Sequence, residues 1–453
     1  MTPLLEPAPA VAAPVSKIPF LRRAYGATLY SASRLALNLA PNILTLLVVR
    51  WMPLDAAHTL LSGFATAIFL TNTASTWLEL VIYRYAVADV GRSIRRVLWL
   101  ESLSAILILL ALPSLFGPHA PLAPGIRALL AAIVVADLIY RAGLAALQID
   151  GQDRVWIRLN AWRLFVDIGL TAGVAYATRS GILVLSAMAV CRVGAAIAIL
   201  QASPLYRPDV PRKRNAENHW LRYGISISLW TSILQVLQYL PQFAAVRLLP
   251  PLESTAFLAG FRLFVQSSLL VTGFLLLYLH PKLLGGYRDR GAGHFYSQWT
   301  AILPWYGGVT ILFAAICALA YPFAAPLILG AKYSESARVV LWTIPGIVSL
   351  SLANYVQKLL EVRESVLPMT CYLAISTLSF PALMLTRRAG PEATQLALCI
   401  ALSFAFTLYL AMIAAHAGLL IPKLPKAVSR RVIFIGTIAV TGTVALPYQL
   451  FGR

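Results

Sequence analysis

YGATLYSASRLALNLAPNILTLLVVRWMPLD (residues 25–55) and YGISISLWTSILQVLQYLPQFAAVRLLPPLE (residues 223–253) share one layout. Each opens on Tyr-Gly, runs through apolar residues carrying a thin polar stripe, and closes on Pro-Leu and an acidic residue. Tyr25 and Tyr223, like Pro53 and Pro251, stand 198 positions apart (223 less 25; 251 less 53). Five positions kept in register point to a duplicated unit. Each copy is long enough to cross a bilayer, and duplicated membrane-length units are the build of transporters.

The rest of the chain supports a membrane reading. Of its 453 residues, 59% are hydrophobic and 12% charged. That is about half the charge of a soluble domain, too little to cover a water-facing surface. Apolar runs recur from end to end, and their length excludes the short alternating strands of a β-barrel. Spans are expected at about 27–49, 58–82, 97–115, 124–148, 160–178, 181–202, 221–249, 254–280, 300–321, 337–360, 366–386, 393–419 and 431–449.

The net charge of +20 would suggest nucleic acid if it were spread evenly. Instead the basic residues gather on alternate loops, among them Arg92, Arg95, Arg96, Arg154, Arg158, Arg163, Arg212, Lys213 and Arg214. This is the positive-inside pattern, with the N-terminus cytoplasmic. The charge then implies anionic membrane lipids as partners and no nucleic acid. Arg387-Arg388 breaks the pattern locally.

The organisation follows. Residues 1–20 read as a disordered cytoplasmic tail, 21–204 as an N-terminal six-helix lobe, and 205–220 as a cytoplasmic linker. Residues 221–420 read as a C-terminal six-helix lobe, and 421–453 as an extra helix outside the repeat, either crossing or lying on the surface. An even number of spans separates the copies, so the lobes are parallel repeats about an axis along the membrane normal. The expected fold class is an all-α polytopic membrane protein with a substrate path between the lobes. Cys191, Cys317, Cys371 and Cys399 lie in apolar helices without metal spacing and read as packing residues.

Charged residues within spans cost at least about 2.5–3.5 kcal/mol near the bilayer centre, so each needs a partner, water or a purpose. Arg34, Asn38 and Asn42 share one face of the first span. That face either lines a hydrated cavity or lets Arg34 snorkel to the headgroups. Asn72, Thr76, Glu79 and Tyr83 share a face of the second, with Glu79 facing the cavity or the solvated rim. Gln235, Gln238 and Gln242 on the seventh span suit sugar hydroxyls or helix–helix bonding. Arg262 and Gln266 form a similar pair on the eighth. Asp137 and Arg141, four apart, are expected to form an ion pair within one helix. Asp167 and Arg192 are expected either to bridge neighbouring spans or to relay protons.

Nothing points to an enzyme, a cofactor or a metal. The six histidines show no HExxH spacing, no Walker-type GxxxxGK[ST] occurs, and no loop is large enough for a catalytic domain.

The second half resembles the Wzx-like polysaccharide flippases of the multidrug/oligosaccharidyl-lipid/polysaccharide (MOP) transporter superfamily. The resemblance rests on Tyr223-Gly224-Ile225-Ser226, Phe257-Leu258-Ala259-Gly260-Phe261-Arg262-Leu263 and His280-Pro281-Lys282-Leu283. The stretch Leu327 to Ala337 and the turn Gln357 to Arg363 extend it, and Ser33-Arg34 carries a weaker echo in the first half. Many relatives place an acidic residue followed by Arg or Lys where this chain has Pro241-Gln242.

The resemblance implies two six-helix lobes around a V-shaped cavity. It implies a flippase moving a polyprenyl-diphosphate-linked oligosaccharide across the bacterial cytoplasmic membrane, with polysaccharide polymerase or assembly proteins as further partners. Arg34 and Arg262 would supply guanidinium forks for the diphosphate. The alternatives are a multidrug or organic-cation exporter of the same superfamily, a membrane enzyme of polysaccharide assembly, or a non-transporting scaffold.

Overall fold

The computed structural model describes residues 42, 46, 49–85, 87–111, 123–207, 217–361, 366–385 and 390–420. Among them there is no β-strand. Among the described residues of the first half there are five helices: α1 (Leu54–Tyr85), α2 (Val87–Ala111), α3 (Pro124–Ile149), α4 (Asp153–Thr178) and α5 (Gly181–Ala202). The second half begins with α6 (Glu217–Leu248), α7 (Pro251–Phe261), a π turn (Arg262–Gln266) and α8 (Ser267–Leu329). It continues through α9 (Ala331–Ala337), a 3-10 turn (Arg338–Thr343), α10 (Ile344–Val356), α11 (Lys358–Glu361), α12 (Val366–Met384) and α13 (Pro391–Leu420). Seven helical segments among the described residues are long and apolar enough to cross a bilayer. The chain is a multi-pass membrane protein.

The repeated Pro-Leu-acid signature is a helix start in both copies. α1 begins at Leu54 with Asp55 in its first turn, and α7 begins at Pro251 with Glu253 there. Proline lacks the N–H that a first turn leaves unbonded, and a carboxylate is favoured at the positive end of the helix dipole. The copies also match in packing. In the first half α5 packs on α3 and α4, and α2 packs on α3; in the second, α13 packs on α10 and α12, and α8 packs on α10.

The halves meet where α1 lies against α6 and α7. Gly224, from the second Tyr-Gly, lets α6 approach closely, since a Cβ there would sit 3.2 Å from the Trp77 ring of α1. Phe69 of α1 stacks edge-on to Phe243 of α6, with ring centroids 5.3 Å apart.

Several expected boundaries move. The span expected at 160–178 starts at Asp153, so Arg163, counted from the sequence with the loop residues, lies inside α4. The eighth span continues as one helical run to Gly291, whose φ of 80° and ψ of −178° break α8 in two. Such a conformation is open essentially to glycine alone. Apart from Asn42, Leu46 and Val49, the first span lies outside the described residues, as do the tail, Arg387-Arg388 and the extra C-terminal helix.

A polar cavity between the two halves

α4 carries its polar residues inward. Its buried positions are Trp156, Asn160, Asp167, Thr171 and Ala175, spaced as one helical stripe. Trp162, Phe165, Leu170 and Tyr176 face outward, with Phe165 81% exposed. In water such a helix would be inside out. In a bilayer the exposed apolar side chains meet lipid, and the polar stripe must find partners within the protein.

Those partners enclose a cavity of about 400 Å³, walled by α1, α3, α4 and α5 of the first half and by α6, α7, the π turn, α8, α10 and α13 of the second. The first-half wall is ionic. Asp137 of α3 accepts from Arg163 Nη2 at 2.5 Å and from Arg192 Nη1 at 2.9 Å. Arg192 Nη2 reaches Asp167 Oδ2 at 2.7 Å. Arg163 also lies over the Tyr140 ring, 4.3 Å from its centroid, and the Tyr140 hydroxyl donates to Asn160 Oδ1 at 3.0 Å. Two carboxylates and two guanidiniums on three helices therefore neutralise one another.

A second ion pair stands beside the first group. Arg141 Nε contacts Glu79 at 3.2 Å, and Arg141 Nη1 donates to Asn72 Oδ1 at 2.6 Å and Ser75 Oγ at 2.9 Å. This corrects the intrahelical Asp137–Arg141 pair. Each of those residues instead pairs with another helix, because a carboxylate in a dry bundle gains more from two converging guanidiniums than from one helical neighbour. The bridge between Asp167 and Arg192 forms as expected.

The second-half wall is uncharged, with Gln235, Gln238, Tyr239, Gln266 and Asn354. Across the gap Asn72 Nδ2 donates to Tyr239 Oη at 3.3 Å, tying the two walls.

The residues expected from the sequence divide three ways. Asn42, Glu79, Gln235, Gln238, Gln266, Asp137, Arg141, Asp167 and Arg192 line the cavity. Gln242 and Arg262 do not. Both are fully buried, and neither side-chain polar atom of Gln242 is hydrogen-bonded among the described residues. Arg34 and Asn38 lie outside the described residues. Sequence reasoning missed Arg163, Asn160, Tyr140, Tyr239 and Asn354. The signal for two of them was present, since Asn160, Arg163 and Asp167 are spaced three and four apart on α4.

No family model matches this chain, and no curated protein matches it in sequence. Solved structures do match. The lipid II flippase MurJ in its inward closed conformation superposes with a TM-score of 0.58 at 11% identity, over 95% of this chain and 100% of that one. The eukaryotic MATE transporter AtDTX14 gives 0.54 at 12%, over 92% and 99%. The outward-facing conformation of a multidrug resistance MATE family transporter of the MOP superfamily gives 0.52 at 12%, over 92% and 96%. At such identities the likeness is one of architecture, and the chain has the fold shared by MATE and MurJ transporters of the MOP superfamily.

Proposed function

We propose that the protein is a flippase that moves a polyprenyl-diphosphate-linked oligosaccharide across the bacterial cytoplasmic membrane by alternating access. The observation that carries this reading is the chemistry of the cavity: amides, hydroxyls and paired ions line it, inside helices whose outer faces are apolar. Amide and hydroxyl groups match the donors and acceptors of sugar hydroxyls. A volume of about 400 Å³ falls within the range of small-ligand pockets, enough for part of a glycan at a time. The lipid tail would remain in the bilayer. The N-terminus is taken as cytoplasmic on the positive-inside pattern, and the site is taken to comprise Arg34, Asn38, Asn42, Glu79, Gln235, Gln238 and Gln266, with Gln242 and Arg262 buried outside its lining. The two lobes, 21–204 and 221–420, would rock against each other about the 205–220 linker.

Charge balance favours this cargo over an organic cation. The three cavity arginines, Arg141, Arg163 and Arg192, are matched by Glu79, Asp137 and Asp167. No carboxylate among the described residues pairs with Arg262, which leaves a cation in surplus beside the cavity. A cation exporter would want the reverse. A lipid-linked cargo also agrees with one structural neighbour, MurJ, which is a flippase of lipid II.

The test is flipping of a polyprenyl-diphosphate oligosaccharide in sealed proteoliposomes, read by its accessibility to an external glycosidase. Protein-dependent exchange is the expected outcome. Absence of exchange with several glycans, together with efflux of a cationic dye, would move the protein to the exporter reading.

A further inference from the structure

Arg262 is the first residue of the π turn, 0% exposed, and it has no carboxylate partner among the described residues. A guanidinium has five N–H donors. Here Nη2 donates to the Leu61 carbonyl at a long 3.3 Å, and Nε and Nη1 have no hydrogen-bond partner among the described residues. What faces the cation is the ring of Phe64, 4.7 Å from the guanidinium carbon. Phe64 lines the cavity, as do Phe261, Val265 and Gln266 around the π turn, whereas Arg262 is held behind them.

The placement follows from the repeat. Phe64 and Arg262 are separated by the same 198 positions as the two signatures (262 less 64). Equivalent positions of two copies that touch each other lie on the pseudo-two-fold axis, where the halves meet. The π turn then sets the register. Its wider loop releases the Arg262 carbonyl, which accepts from Ser267 Oγ at 3.1 Å, and it turns Gln266 into the cavity.

We propose that Phe64 is a positioning residue for Arg262: its ring holds the guanidinium behind the cavity wall, and an anionic diphosphate draws the guanidinium past it into the cavity. This rests on the flippase reading and goes beyond it by naming the residue that controls access to the surplus cation. A buried guanidinium with a ring face and one long hydrogen bond is poorly satisfied, whereas a diphosphate offers charge-assisted, bidentate bonds. The ligand gains its advantage only in the released arrangement, and that difference is what shifts the equilibrium.

The test is titration of purified protein in detergent with farnesyl diphosphate, a short polyprenyl diphosphate, with farnesol as the control for the tail. Wild type binds the diphosphate, and Arg262→Gln weakens it about tenfold, the equivalent of about 1.4 kcal/mol. Phe64→Leu tightens binding about fivefold, because the competing ring is gone, and Phe64→Tyr, which keeps a ring, returns it to the wild-type value. In the Arg262→Gln background, Phe64→Leu changes nothing. A merely structural Phe64 would weaken binding when replaced, and that result overturns the proposal, as does an unchanged affinity. Tight binding retained in Arg262→Gln also overturns it while leaving the cargo reading intact. No binding by wild type removes the cargo reading and the proposal together. Should Phe64→Leu fail to fold, Phe64→Met, which also lacks a ring, carries the same expectation.

Discussion

Asp137 accepts from Arg163 and Arg192 together, while Asp167 holds the other terminal nitrogen of Arg192. Removing one member of such a buried group leaves an uncompensated charge, which costs about 3–5 kcal/mol. Asp137→Asn strands Arg163, since Arg192 keeps Asp167, whereas Asp167→Asn strands no guanidinium, because Arg192 keeps Asp137. The expected order of thermal stability in detergent is therefore wild type, then Asp167→Asn, then Asp137→Asn. Equal losses would show that the two carboxylates are independent. Glu79→Gln is milder, at about 1 kcal/mol, since Arg141 retains Asn72 and Ser75. The polar stripes that build this wall were legible in the sequence as residues three and four apart. Their pairing was not, because spacing along one helix says which residues share a face and nothing about which helix that face meets. Arg163 was lost for a related reason: basic residues near a span end read as loop until the helix start is known.

At the scale of the helix, close approach is set by glycine. A Cβ on Gly346 of α10 would stand 2.6 Å from Ser403 Cα of α13, a backbone atom that cannot rotate away. Gly346→Ala must push the two helices apart, at a cost of about 1–3 kcal/mol. Gly307→Ala is the control, since its Cβ would meet Leu352 at an ordinary 3.6 Å. Thermal unfolding in detergent checks the pair, and equal stability would mean that α10 and α13 are not tightly docked. Gly291 acts differently, through its φ of 80°. Gly291→Ala is expected to cost about 1–3 kcal/mol and to straighten α8. The apolar helices and the repeat were legible because apolar length and the Pro-Leu-acid start are local signals. The helical run from residue 280 on to Gly291, inside the gap expected between the spans, and the π turn at Arg262 were not, since both depend on tertiary packing rather than on composition.

Alternating access requires the halves to move where α1 meets α6 and α7, and the contacts there are of a kind that can slide. Phe69 touches both Tyr239 and Phe243, with ring centroids 5.8 and 5.3 Å away. Aromatic edges hold position through dispersion and quadrupole terms of about 0.5–1.5 kcal/mol per pair, small enough to be exchanged during a transport cycle. The ionic wall, by contrast, lies wholly within the first half, on α1, α3, α4 and α5, so that half can move as a unit without breaking an ion pair. A covalent bridge between the halves should therefore stop transport without disturbing either wall. The four native cysteines are free, so each is first replaced by serine or alanine. Phe69→Cys and Phe243→Cys are then introduced together and joined in proteoliposomes with a short thiol-reactive cross-linker that attaches through reducible disulfides. Flipping is expected to fall to the protein-free level on bridging and to recover on reduction, while each single cysteine variant treated in the same way keeps its activity. Transport that continues through the bridged protein would mean that the halves do not separate at this contact, and the cargo would then need a path other than the cavity between them.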